Sequence, residues 1–192
     1  MAAIATAESV KTPVHRLKSG QSSTVGAFKV TPFRTPHSPG DVAAGATAAD
    51  FHIPARARAY PEGGAHSFLI EHGTCRVLIV PSAGHPGDAF HGMRADIVML
   101  GVGQLSRQGP EAVAAYWRDT VTATGARLVI PIHWDDFSRS LDQPLRPFPY
   151  TIDRFDRTMK QLTALASDQV ALRLPRAFER MDWSGLPVGG CA

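Results

Sequence analysis

The segment Arg127 to Phe137, RLVIPIHWDDF, restricts the possible folds more than any other stretch of the chain. Leu128 to Ile132 is apolar, rich in β-branched residues and too short for a good helix. A helical pattern and Gly125 precede it, so it reads as a buried parallel strand. Pro131 has no N–H to donate to a sheet, which predicts that pairing ends at this point. His133, Trp134, Asp135 and Asp136, polar or amphipathic, follow at once. In open α/β sheets, ligand-binding and catalytic side chains collect just past the carboxyl ends of strands, and His133 occupies such a place. A hydrogen-bonded histidine that merely closes a strand would look the same.

Two further strand ends open into polar loops. Ala27 to Thr31, AFKVT, alternates in the manner of a strand and is stopped by Thr35-Pro36-His37-Ser38-Pro39-Gly40. Ser67 to Glu71 and Cys75 to Val80 are apolar runs joined by His72-Gly73-Thr74, a hairpin signal. The second run ends in Pro81-Ser82-Ala83-Gly84-His85-Pro86-Gly87. Asp96 to Gly101 is a fourth buried strand, and Gly101 and Gly103 at its end permit close backbone approach. Met1 to Val10 reads as the tail of a helix, Val14 to Gly26 as a loop or weak strand, and Asp41 to Gly64 as a long loop. Pro110 to Thr124 predicts a helix with Val113, Tyr116, Trp117 and Val121 on its core face. Ile152 to Ala166 predicts another, with Ile152, Phe155, Met159, Leu162 and Leu165 inward. Ser138 to Tyr150 reads as an extended loop, Val170 to Leu174 as a last strand, and Pro175 onward as a tail.

The 192 residues fit one domain, and 44% hydrophobic with 19% charged residues is a globular composition. Lys and Arg are scattered, with no basic run interleaved with aromatics, which argues against nucleic-acid binding. No window reaches the apolar length of a membrane span, and the first residues lack the pattern of a signal peptide. Cys75 and Cys191 lie far apart, so neither a disulfide framework nor a cysteine zinc knuckle is expected. A reducing compartment, the cytoplasm, is then the simplest location. Histidines on rigid strand ends, gathered from distant parts of a chain, suit zinc or another transition metal.

These stretches resemble the later half of a metallo-β-lactamase-fold hydrolase. FKVTPFRTPHSP, residues 28–39, is similar to the strand and loop that deliver a metal-binding histidine in that family. SFLIEHGTCRVLIVPSAG, residues 67–84, is similar to its hairpin, whose second strand normally ends in Gly-Asp-Thr-Gly. DIVMLG and VIPIHWDDF are similar to the two strands that follow, the second ending in the last metal-binding histidine. The match runs from about residue 14 to about residue 174. It implies an α/β (α+β) architecture, part of an αββα sandwich, with one or two zinc ions at the sheet edge and a small-molecule substrate. By position, His37 and His133 would be metal ligands, and Ser82 stands where the family has a bridging aspartate.

The family's His-x-His-x-Asp-His motif is absent from the chain. The resemblance therefore implies a truncated domain whose zinc binding is weak or absent, with His85, Asp135 or Asp136 as the nearest further donors. A non-catalytic binding or interaction domain derived from the same fold is the alternative. Half a sandwich would also leave one sheet face bare, covered by a partner or a second copy.

Overall fold

The computed structural model describes residues 17–39, 45, 54–56, 59–60, 64–140, 142–183, 185–188 and 190–191. The expected helix tail at residues 1–10 and most of the loop at 41–64 lie outside these. Among the described residues, seven strands form one mixed sheet in chain order: β1 (Ser23–Val25), β2 (Phe28–Thr35), β3 (Ala65–His72), β4 (Cys75–Val80), β5 (Ile97–Gly101), β6 (Leu128–Ile132) and β7 (Ala171–Leu172). β1 to β4 are antiparallel neighbours, and β4 to β7 run parallel. β2 therefore points the same way as β4, β5 and β6, and these four strands finish at one end of the sheet.

Among the described residues, two helices, α1 (Pro110–Trp117) and α2 (Phe155–Leu165), pack with this sheet in an α+β arrangement. One face of the sheet carries Leu78, Val80, Val98, Leu100 and Val129, all buried together with Val113, Tyr116, Trp117 and Leu162 from the helices. The period-two burial of β4 follows directly from its pleat, with Leu78 and Val80 buried and Val77 and Ile79 half-buried.

Several boundaries differ from the sequence expectation, each for an identifiable reason. β2 runs through Pro32 to Thr35, because β1 pairs only with Phe28 to Val30 and Pro32 lies beyond it. Pro131 ends pairing on one side only: β7 stops at Val129, while β5 pairs on to Ile132. The helix expected to reach Thr124 changes to π-type bonding over Arg118–Thr122. Thr120 and Thr124 donate their hydroxyls to the carbonyls of Tyr116 and Thr120, at 2.6 and 2.7 Å, a back-bonding that competes with the helix ladder. Ile152 is exposed and precedes α2, since the buried carboxylate of Asp153 accepts from the backbone of Gln104 and the hydroxyl of Ser106 and fixes the chain there.

The second face of the sheet corrects the expectation that it would be bare and that the cysteines would be unpaired. Met181, Trp183, Leu186, Val188 and Cys191 of the tail pack across it. Ile97, Leu128 and Ile130, at most 2% exposed, pack with Val188, Met181, Trp183 and Leu186. A disulfide between Cys75 and Cys191, 116 residues apart, ties this segment to the start of β4. Thr74 Oγ1 donates to the Gly190 carbonyl at 3.0 Å, and a Cβ on Gly190 would lie 2.6 Å from the Thr74 carbonyl oxygen. The bridge was hidden because nothing local to either cysteine signals it; only the return path of the tail brings them together.

Candidate functional site

The shared end of β2, β4, β5 and β6 is built from loops whose backbones lie against one another. A side chain on Gly84 would run into the Pro36 and His37 carbonyls. One on Gly101 would meet the Pro81 carbonyl, and one on Gly103 would lie 2.8 Å from the His133 carbonyl oxygen. The close approach foreseen at Gly101 and Gly103 is thus the approach of neighbouring loops. It strings the His37, Ser82 and His133 loops along one edge.

Hydrogen bonds lock the first two loops together. The Ser38 N–H donates to Ser82 Oγ at 2.8 Å, the two hydroxyls lie 3.1 Å apart, and the Ala83 N–H donates to Ser38 Oγ at 3.0 Å. Tyr116, fully buried, donates to the Ser82 carbonyl at 3.2 Å and the Gly101 carbonyl at 3.0 Å. Burial raises its phenol well above the ordinary value, so it stays a neutral donor. Gln108 Nε2 adds a bond to the Ala83 carbonyl at 2.8 Å.

His37 is exposed, and its Nδ1 lies 3.2 Å from the Ser38 carbonyl oxygen, a contact that requires the proton on Nδ1. His133 is also exposed and has φ 57°, a left-handed conformation uncommon for a residue with a side chain. Its ring passes close to Gly103 and stacks on Phe137 at 6.1 Å between centroids. Phe137 in turn meets Phe148 edge-on at 5.1 Å, although it is 71% exposed. An apolar wall therefore stands beside His133. The sequence reading put Phe137 at the close of the strand-end segment and Phe148 in the loop after it, and assigned neither to the site. Trp134 turns the other way and stacks on Phe155 of α2 at 4.9 Å.

The structure does not gather the other suggested donors around His37 and His133. His85 faces the helical side, with Nδ1 3.3 Å from Asp119 Oδ2. Asp136 accepts from the Ser138 hydroxyl at 2.6 Å and the Ser138 N–H at 3.1 Å in a local turn. The Ser138 hydroxyl bond holds its carboxyl below the usual carboxylate range. Asp135 forms a backbone bridge with Pro147. Ser82 is 6% exposed, and its hydroxyl is already engaged by Ser38. Among the described residues, the group of three His, Cys, Asp or Glu donors within 4.8 Å of one another is Cys75, Asp96 and Cys191, at the opposite end of the sheet. Two imidazoles and an engaged hydroxyl do not fit a complete zinc centre, which takes at least three protein ligands.

Two concavities adjoin the edge. One of about 340 Å³ lies beside His37 and Arg34, and one of about 540 Å³ lies between Pro39, Gln104 and Arg107. A larger one, about 650 Å³, opens between residues 122–127 and Ser167 at the other end of the sheet. Size alone would favour the last. Its rim is the end of a helical segment and carries neither of the strand-end histidines, so the chemistry favours the first two.

No protein-family model matches the chain, and no curated protein matches it in sequence. Solved structures do. A metallo-β-lactamase fold protein of Bacillus subtilis, YhfI, is similar with a TM-score of 0.45 and 13% identity, over 84% of this chain and 52% of its own. A protein of Parabacteroides distasonis described as a metal-dependent hydrolase gives 0.42 and 15%, over 85% and 57%. A Thermotoga maritima protein described as a Zn-dependent hydrolase of the metallo-β-lactamase superfamily gives 0.39 and 16%, over 77% and 57%. With TM-scores below 0.5, these likenesses carry neither a fold nor a correspondence of residues. The chain spans about half the length of the structures it is compared with.

Proposed function

We propose that the common end of β2, β4, β5 and β6 is part of a metal-dependent hydrolase site of the metallo-β-lactamase type, and that the chain alone binds at this edge without turning substrate over. In this reading His37 and His133 face the metal position and Ser82 stands in for a bridging carboxylate. The observation that carries it is the run of touching loops that puts these residues on one strand edge in the order the resemblance requires. The left-handed backbone of His133 adds support, since strain held by its surroundings is often found at functional positions. Substrate would be a small molecule lying against Phe137 and Phe148. A second copy or a partner protein would cover the half-buried remainder of the second sheet face.

The number of donors favours a second reading in the same place, a non-catalytic binding domain. One experiment tests whether the edge is a complete metal centre. Metal analysis after dialysis, followed by calorimetric titration of the oxidised protein, is expected to show weak or no zinc at this edge. Tight stoichiometric zinc lost on His133→Ala would establish a complete centre. The cytoplasmic location read from the sequence now competes with the disulfide, because such bridges persist mainly in oxidising compartments. Alkylation of thiols during isolation from cells, read by mass, decides between them. No helix among the described residues is long and apolar enough to cross a membrane.

A further inference from the structure

We propose that Cys75, Cys191 and Asp96 form a thiol-gated site for a soft divalent cation, zinc, which replaces the disulfide when the pair is reduced and keeps the tail clasped to the sheet. Three observations converge on this. The two sulfurs and a carboxylate oxygen of Asp96 all lie within 4.8 Å of one another. Asp96 Oδ2 sits 4.0 Å from Cys191 Sγ and is held there by the Arg76 N–H at 2.8 Å. A cavity of about 400 Å³, lined by Cys75, Cys191, His72 and Gly190 among others, opens directly on the bridge.

Zn–S bonds of about 2.3 Å and Zn–O bonds of about 2.1 Å put donors around one tetrahedral ion roughly 3.5 Å apart. Breaking the bridge lets the sulfurs part to that spacing, and the third donor is already in range. Three protein ligands leave a fourth position for water, or for the His72 imidazole, which is the cross-strand neighbour of Cys75. Backbone donation from Arg76 orients the carboxylate, as outer partners commonly do for metal ligands. The tail from Met181 to Cys191 then has two fasteners that exclude each other, and either one keeps Ile97, Leu128 and Ile130 covered.

The chemistry balances with a dithiol as reductant. Two thiol–disulfide exchanges give Cys75–SH and Cys191–SH and leave the dithiol as its own disulfide. Zinc then takes the place of two thiol protons, which pass to solvent, so the site tightens as pH rises. The thiolates bound to zinc are protected from reoxidation while the ion is held.

Cobalt is the probe. The full chain, reduced with a phosphine and freed of metal, is titrated with cobalt and then with zinc. The expected result is one equivalent of cobalt with sulfur-to-metal charge-transfer absorption, displaced by zinc. The oxidised protein should show no such absorption. Cys75→Ser and Cys191→Ser should abolish it, and Asp96→Asn should weaken binding by about tenfold or more, as loss of a ligand costs at least what loss of an outer partner does. The double variant His37→Ala/His133→Ala should leave the absorption intact, which separates this site from the strand-edge site of the proposed function. Cobalt absorption without sulfur character, or unchanged affinity in Asp96→Asn with the melting transition preserved, would overturn the proposal. So would binding by the oxidised chain equal to that of the reduced one.

Discussion

The two ends of the sheet are built on opposite terms. At the carboxyl end of the strands, His37, Ser82 and His133 come from three distant segments, and the backbone between them is tightly locked, yet the donors number two. At the amino end of β4 and β5, Cys75, Asp96 and Cys191 stand within 4.8 Å, and a covalent bond occupies two of them. The first end has the position that sheet topology favours for chemistry. The second has the donors. Position is a property of strand order and can be reasoned from a sequence. Convergence depends on where a tail happens to return.

The largest test of this contrast is covalent. Cys191→Ser frees the tail and removes a cross-link that closes a loop of 116 residues. Unfolding by urea under oxidising, metal-free conditions is expected to show a loss of about 2–4 kcal/mol, the usual range for a native bridge. His37→Ala at the other end, on an exposed side chain, is expected to change stability by less than about 0.5 kcal/mol. Equal effects at both ends would erase the distinction.

Next in size is Tyr116→Phe. The phenol bridges the carbonyls of Ser82 and Gly101, both buried, and its loss leaves them without that donor. A destabilisation of about 1–2 kcal/mol is expected. Amide exchange should quicken at Ser82 and Ala83 but not at Cys75 or Arg76, if the two ends are held independently.

The unequal visibility of the two ends in the sequence has a physical source. β3, β4, β5 and β6 announce themselves because runs such as CRVLIV and DIVMLG have few ways to bury their side chains, and Gly73-Thr74 is a short turn. His37 and His133 follow as the first polar residues past strand ends. The tail at 175–191 gave no periodic signal, since its Met181, Trp183, Leu186 and Val188 pack as single contacts on a sheet rather than as one face of a helix or strand. Its disulfide was invisible for the same reason. The aromatic wall of Phe137 and Phe148 was missed because two loop residues eleven apart meet only where Asp135 bridges to Pro147 and the Asp136 N–H donates to the Arg146 carbonyl at 2.8 Å.

A smaller effect probes the left-handed backbone at His133. Glycine adopts φ 57° without strain, whereas alanine keeps the Cβ penalty and loses the imidazole. His133→Gly is therefore expected to be more stable than His133→Ala by about 1 kcal/mol. If alanine proves equal to glycine, the conformation stores no strain, and one support for the proposed site is gone.

The smallest expected effect is a titration. The Ser138 hydroxyl and N–H hold the Asp136 carboxylate below its ordinary value of 3.8, and the Arg139 guanidinium adds to the shift. A carboxyl lowered in the folded state stabilises that state fully above the unfolded value, and the contribution fades as pH falls through the folded value. Any such contribution is thus present at neutral pH and lost only in acid, below about pH 4. Because Asp136 is solvent-facing, the effect on global stability should be undetectable, and the readout is local. Carboxyl-carbon NMR should place Asp136 below a typical aspartate, and Ser138→Ala should move it back up. Should Asp136 instead titrate still lower when zinc is added to the reduced protein, the strand edge would be taking up metal through a donor that the turn now holds, and the contrast between the two ends would narrow.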